Sequence, residues 1–387
     1  MLTHDLKVRS IAFYLPQYHP IPENDEWWGK GFTEWTNVTK AKPLFPGHYQ
    51  PHLPADLGFY DLRLPEARQA QADLAKAYGI YGFCYYHYWF NGKRLLERPV
   101  NEILSYGKPD FPFCLCWANE NWTRRWDGQD QEMLMQQVYS DEDDLAHIRS
   151  LAQVFQDPRY IRINNKPLFL VYRVSNMPDP LRTAQIWRGE AHRLGIGDIY
   201  LGKVESISAS HGDPSLIGFD AAIEFQPHWE ELGLPMQKGR RWDILRSLKI
   251  TDQVYAEHNI FDYSIMVNRS LAKPLPNYKR FPCVTPSWDN SARRKANAII
   301  LRNASPEIYE SWLKTVVQKT LQDTRNQEQL VFINAWNEWA EGNHLEPCRK
   351  WGYAYLEATQ RAIQLGDQLS NKTNREGEIK QFSQSVH

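Results

Sequence analysis

Eight short apolar runs, each followed by polar or helix-forming sequence, limit what this chain can fold into. They lie at 8–15, 80–86, 112–117, 167–173, 199–204, 221–225, 281–285 and 330–335. Most are continuous in Ile, Val, Phe, Leu, Cys and Tyr rather than alternating, as strands covered on both faces should be. Amphipathic stretches stand between them. Residues 64–78 carry Ala, Leu and Tyr at spacings of three and four and end at Gly79. Residues 140–155 open with Ser140 as a cap and Asp141, Glu142 and Asp143 in the first turn, where the helix dipole favours acids. Residues 181–194 stop before Gly195, 305–321 open Ser-Pro-Glu, and 353–365 stop before Gly366. This alternation predicts an α/β fold, a (β/α)8 TIM barrel with long loops over its C-terminal face. A doubly wound sheet would place a Gly-rich phosphate turn after the first strand, and the sequence has none there. Residues 21–61 are too rich in Pro, Gly and aromatics for a plain connection and read as an ordered loop over the barrel mouth. Residues 232–277 form a second insertion, part helical. One domain is expected over 1–367, followed by a polar, disordered tail over 368–387.

Charge and composition narrow the function. Lys plus Arg number 45 against 46 Asp plus Glu, a net charge of −1, which removes the electrostatic footprint of a nucleic-acid binder. Mean hydropathy is −0.61, and no stretch reaches the roughly 20 apolar residues of a membrane span. The first ten residues lack the apolar centre of a secretory signal. Cys84, Cys114, Cys116, Cys283 and Cys348 show neither a disulfide framework nor metal-ligand spacing. Free, buried thiols in a cytoplasmic protein are therefore expected. Aromatic residues make up 13% of the chain, with 15 Trp and 20 Tyr, more than a core requires. Set beside polar groups, they offer flat faces to a ligand such as a sugar; a Trp-rich core is the alternative.

A barrel builds its active site from C-terminal strand ends and the loops that follow. The first run leads to Gln17, Tyr18 and His19, and the second to Tyr86, His87, Tyr88 and Trp89. The third gives Trp117, Asn119, Glu120, Asn121, Trp122, Arg124 and Arg125; the fourth, Tyr172 and Arg173; the fifth, Glu205. The sixth carries Glu224, Gln226 and His228, and the seventh Trp288, Asp289 and Asn290. Together these endings describe a polar, Trp-lined crater suited to carbohydrate. The eighth holds the densest cluster, NAWNEWAEG at 334–342. Its Glu338 and Glu341 lie three apart and face one way if the turn is helical. Close carboxylates drive each other's pKa apart, leaving one acid and one base, which is what glycosidic bond chemistry needs. A solvated Glu pair at a helix start is the competing reading. Asn119, Glu120 and Arg124 suit hydroxyls or an anionic sugar, or close their own loop. Glu34 and Trp35 resemble a substrate-contacting lid, although loop packing explains them nearly as well. His52, His87 and the other histidines lack ligand spacing, so no metal and no cofactor are expected.

Several long motifs are familiar: AFYLPQYHP at 12–20, WWGKGFTEWTN at 27–37, GHYQPH at 47–52, GFCYYHYWF at 82–90, FCLCWANENWTR at 113–124 and NAWNEWAEG at 334–342. Over residues 8–365 the chain resembles the WbsX family of bacterial surface-polysaccharide and O-antigen assembly. That family is in turn similar to the endo-α-mannosidases of glycoside hydrolase family 99, which are (β/α)8 barrels with a Glu-x-x-Glu on the last strand. The resemblance implies that Glu338 deprotonates the sugar 2-hydroxyl, which attacks C1 to form a 1,2-anhydro sugar. It further implies that Glu341 protonates the leaving oxygen and then activates water, with net retention. Asn337 and Trp339 belong to the same motif, the stretch from Trp288 and Asp289 to Arg294 resembles the loop before it, and Tyr14 and Tyr18 resemble the first-strand contacts. His52, His87, Trp89, Trp117, Tyr172 and Glu224 complete the expected substrate-binding set.

The resulting expectation is a retaining, glycoside-hydrolase-like enzyme acting on an α-linked, mannan-like or O-antigen-type bacterial polysaccharide. A glycosyltransferase or transglycosylase of lipopolysaccharide assembly and a non-catalytic glycan-binding protein are the alternatives. Expected partners are a polysaccharide or oligosaccharide, with no nucleic acid and no integral membrane segment; peripheral association with glycan-assembly machinery is the one membrane relation left open.

Overall fold

The computed structural model describes residues 8–124, 129–323 and 328–364. Arg125 and the stretch 368–387 therefore lie outside the described residues. The eight apolar runs are the staves of a parallel barrel: β1 Arg9–Tyr14, β2 Gly82–Phe90, β3 Phe113–Trp117, β4 Lys166–Val171, β5 Tyr200–Glu205, β6 Ala221–Glu224, β7 in two pieces (Arg280–Phe281 and Cys283–Val284) and β8 Leu330–Ile333. Neighbours pair in parallel from β1 through β6, and β1 also pairs with β8 (Arg9 opposite Leu330). Pro282 splits β7 because it has no N–H for the ladder. The first piece pairs with β6 (Ile223 opposite Phe281) and the second with β8 (Val284 opposite Ile333), which closes the ring.

The ring is filled by aromatic side chains. Phe13 sits within 5.8 Å of Tyr86, 5.4 Å of Phe225 and 5.6 Å of Phe332, measured between ring centroids. The five cysteines are buried and free, and Cys84, Cys114 and Cys116 act as small core residues in β2 and β3.

Helices cover the outside as the sequence signals indicate. Named in chain order, the helices of the first two connections are α1 Pro22–Trp28, α2 Glu34–Lys40, α3 Pro65–Ala77 and α4 Arg98–Tyr106. They are followed by α5 Asp141–Gln156 and α6 Pro180–Arg193. Ser140 caps α5 by accepting the Asp143 N–H at 3.1 Å, and Asp179 caps α6 by accepting the Arg182 N–H at 2.9 Å. The fifth connection departs from the expected pattern, with a short 3-10 helix, Pro214–Ile217, in place of an α-helix. The insertion at 232–277 contains α7 Arg240–Ser247, α8 Val254–Glu257 and α9 Tyr263–Ala272, and α10 Pro306–Gln322 follows β7. Strand Asn259–Asp262 of that insertion pairs in parallel with Ile299–Arg302. Residues 21–61 are ordered around α1 and α2, and α2 packs on the turn that carries Glu341. Among the described residues, no helix is long and apolar enough to cross a membrane.

Candidate active site

The strand pleat sorts the predicted residues into two sets. Successive side chains on a strand point to opposite faces, so only one parity reaches the barrel mouth. From β2 and its neighbours, Tyr86, Tyr88, Tyr172 and Phe225 line a cavity of about 330 Å³ at the C-terminal ends of the strands. The other parity faces the helix layer. Tyr14 donates to Gln71 Oε1 at 2.6 Å, and the Trp89 indole donates to both Asp143 oxygens at 3.0 Å. His87 sits 2.9 Å from Nε2 of His147, and burial pushes its pKa down to about 3. The Trp117 indole donates to the Trp89 carbonyl at 3.2 Å. Glu224 turns outward, toward Arg280 and Lys273.

Of the expected catalytic and substrate-binding set, Glu338, Glu341, Glu120, Tyr172, Trp288 and Arg294 line the cavity, joined by Gln17, Asn121, Trp122, Arg173 and Asn290 from the expected crater. Glu120 pairs with Arg173 at 2.9 Å, and Asn119 holds Arg173 from behind by accepting its backbone N–H at 2.8 Å and donating to its carbonyl at 2.8 Å. Other expected residues form the frame. Asn337 accepts the Leu15 N–H at 2.7 Å and donates to the Leu15 carbonyl at 3.0 Å, so its amide acts as an extra ladder rung between the ends of β8 and β1. Tyr18 donates to the Asn337 carbonyl. Trp35 donates to the Tyr60 carbonyl at 2.9 Å and packs on Tyr18 and Trp339. The Trp339 indole donates at 2.6 Å to Glu346, a buried carboxyl that desolvation pushes up to about 7. Arg124 pairs with Glu132 at 2.9 Å, beside the cavity. His52 (3.0 Å from His344) and Asp289 line a neighbouring cleft instead.

The centre of the site is a residue that the sequence reading passed over. Arg293 reaches three acids: Glu34 at 2.8 Å, Glu338 at 3.0 Å and Glu341 at 2.6 Å. Its guanidinium offers a rigid fork of donors, which a lysine could not match. Burial disfavours its charge, yet Glu34, Glu341 and Glu338 hold it firmly protonated. Burial also pushes the Glu338 carboxyl up to about 8, with Glu341 and Glu34 adding to the rise and Arg293 opposing it. Glu341 is raised by burial as well, with Arg293 and Arg294 opposing and Glu34 adding. Burial and the neighbouring acids thus raise both carboxyls against the pull of the arginines, which favours a proton on the Glu338–Glu341 pair.

The turn beneath the pair is fixed by its backbone. Trp339–Glu341 is a 3-10 helix ended by Gly342 at φ +57°, and the Asp289 N–H donates to the Glu341 carbonyl at 2.6 Å. Asp289 is itself held by His48 at 2.6 Å and Gln50 at 2.8 Å. A Cβ at position 342 would lie 3.0 Å from that of Asp289, so glycine is required there for close approach as well as for its backbone angle. Among the described residues, no group of three or more His, Cys, Asp or Glu is arranged to hold a metal ion.

A family model described as glycosyltransferase WbsX matches residues 10–359. Two curated relatives, each described as uncharacterized protein WxcX, come from the B100 and ATCC 33913 strains of Xanthomonas campestris pv. campestris. Both are 46% identical over 362 residues, or 94% of this chain, and the chain spans about half (50%) of their length. Among solved structures, the GH99 endo-alpha-mannosidase from Bacteroides thetaiotaomicron in complex with bis-tris-propane superposes with a TM-score of 0.56 at 14% identity, covering 94% of this chain and 98% of that one. A glycoside hydrolase-like protein superposes at 0.55 with 12% identity, covering 93% and 94% respectively. At these identities the structural likeness establishes a shared fold. The family match extends over nearly the whole barrel, and the chain belongs to the WbsX family.

Proposed function

We propose that this chain is a retaining, glycan-active enzyme of the glycoside-hydrolase type, acting on an α-linked bacterial polysaccharide. The observation that carries this reading is the Glu338–Arg293–Glu341 constellation, two carboxyl groups bridged by one guanidinium and facing an aromatic-walled cavity. In the reaction, Glu338 as carboxylate takes the proton of the sugar 2-hydroxyl. O2 then attacks C1 while the C1–O glycosidic bond breaks, and the leaving oxygen takes the proton of Glu341. In the second half, Glu341 accepts a proton from water, the water oxygen bonds to C1 as the C1–O2 bond breaks, and the departing O2 recovers its proton from Glu338. Two inversions at C1 give retention. Tyr86, Tyr88, Tyr172 and Trp288 supply apolar faces for the sugar rings. Arg293 stabilises the carboxylate that carries charge at each stage, without reorganisation.

Transfer to a sugar hydroxyl instead of water is the second reading, favoured by the name of the matched family. Both begin with the same first half-reaction. The deciding test incubates the protein with α-mannans and bacterial O-polysaccharides, with and without acceptor oligosaccharides, and reads products by mass spectrometry and anomeric NMR. Shortened chains of retained configuration, absent with Glu341→Gln, support hydrolysis. Elongated acceptors make the protein a transferase, and saccharide binding without any product overturns both.

The proton count predicts a bell-shaped pH profile of kcat/KM. Above about 8, where Glu338 ionises in the free protein, both carboxyls are charged and no acid remains for the leaving oxygen. On the acidic side both become protonated and no base remains. The descending alkaline limb should centre near pH 8. A flat profile from pH 6 to 10 would show that the pair shares no catalytic proton.

A further inference from the structure

A second cleft, of about 90 Å³, opens beside the catalytic cavity, and Trp288 lines both. Its walls include the rings of Phe45, Tyr49, Trp351 and Tyr355. Two cations line it, each held against aromatic faces. The Lys350 ammonium lies 4.6 Å from the Tyr49 ring centroid and 4.7 Å from that of Trp351, and the Arg302 guanidinium lies 5.7 Å from Phe45. Neither forms an ion pair among the described residues; Arg302 donates at 3.3 Å to the neutral hydroxyl of Tyr255. The carboxylate in the wall, Asp289, is occupied by His48 and Gln50. The cleft thus presents two cations outside any ion pair against one carboxylate already hydrogen-bonded to its own neighbours, between flat apolar surfaces. Aromatic faces suit a pyranose ring, and two unpaired cations suit an oxyanion attached to it.

We propose that this cleft is a second saccharide site, one that takes an anionic sugar unit bearing a carboxylate or a phosphate. It shares the Trp288 wall with the catalytic cavity, so a polymer crossing that residue would engage both. The assignment goes beyond the reaction proposed above and does not use it. Cleavage assays can fail while this site stands, and the site can fail while cleavage is observed.

The test is calorimetric titration with glucuronate, glucose 1-phosphate, glucose and inorganic phosphate, applied to the wild type, Lys350→Gln, Arg302→Gln and Glu341→Gln. Thermal melting checks that each variant is folded, and Lys350, exposed at the rim, provides a substitution that leaves the packing intact. The expected result is saturable binding of at least one anionic sugar and weaker binding of glucose. Loss of one charge-assisted hydrogen bond should lower the affinity roughly tenfold in Lys350→Gln and in Arg302→Gln, and not in Glu341→Gln. The tighter of the two anionic sugars identifies the oxyanion. The proposal is overturned if neither binds, if glucose binds equally well, or if both cation variants retain full affinity. It is equally overturned if Glu341→Gln abolishes binding, which would place the ligand in the catalytic cavity, or if inorganic phosphate binds as tightly as glucose 1-phosphate, which would show that the rings recognise no sugar.

Discussion

Replacing Arg293 with Met should destabilise the protein by about 3–5 kcal/mol at neutral pH, because removing one partner of a buried ionic cluster strands the others. Here it strands three. Glu34, which is 0% exposed, has lost water as well as its cation, and Glu338 and Glu341 lose the group that opposes their upward shift. The deficit should depend on pH, with a definite sign. A carboxyl whose folded pKa exceeds its unfolded value adds stability below the unfolded value and loses that stability as pH rises through the folded one. Glu338 and Glu341 are already raised, and the substitution raises them further. The gap between variant and wild type should therefore be narrowest near pH 4.5 and widest above 8. Urea unfolding at pH 5 and 8.5 measures it, and an equal deficit at both would mean that Arg293 contributes through packing alone. Arg293→Lys should fall between the two, since it restores the charge without the fork that meets three acids together.

Glu338→Gln and Glu341→Gln should each lower turnover by about 10²–10⁴, the range for loss of a general acid or base. Neither should weaken the fold. A Gln at 338 carries no charge to desolvate, so above pH 8 that variant should melt higher than the wild type. The two substitutions can be told apart with an activated aryl glycoside. Its leaving group departs as a stable anion and needs no proton, so in Glu341→Gln the first half-reaction should be restored, read as a burst of released aryl group, while Glu338→Gln should show none. Burial favours the proton on Glu338 in the free protein, whereas the assigned roles require it on Glu341 once substrate is bound. Rescue of Glu338→Gln in place of Glu341→Gln would exchange the two roles.

The barrel was readable in the sequence because strands buried on both faces leave continuous apolar runs that polar loops cannot imitate. Only Pro282 disturbed that reading, by splitting one run into two paired pieces. Helix α4 carried its own signals, Pro99 near its start and Gly107 in the left-handed conformation at its end, yet it is short enough to pass as part of a loop. The position of Glu338 and Glu341 at the cavity was legible from their place after the last run, one on either side of Trp339. The cavity wall was legible only in part. A run such as YYHYWF contains chemistry-bearing residues of both parities. Parity becomes useful once one residue is known to face inward, as Phe13 and Tyr86 do here. Arg293 and Arg294 are consecutive, and nothing local distinguishes the one that turns toward Glu34. That choice is made by a loop some 259 positions away.

That separation also sets the order in which the acid cluster around Arg293 can be assembled as the chain is made. Glu34 is synthesised early, and its burial becomes affordable only when Arg293 arrives 259 residues later. At about 5–20 residues per second, this leaves on the order of ten to fifty seconds in which the first loop must keep its acid in water. The last rung, from Leu15 to Asn337, spans 322 positions and waits longer still. A nascent chain can pair its early strands, but the Glu34–Arg293 pair that joins the first loop to the loop after β7 forms only when both have been made.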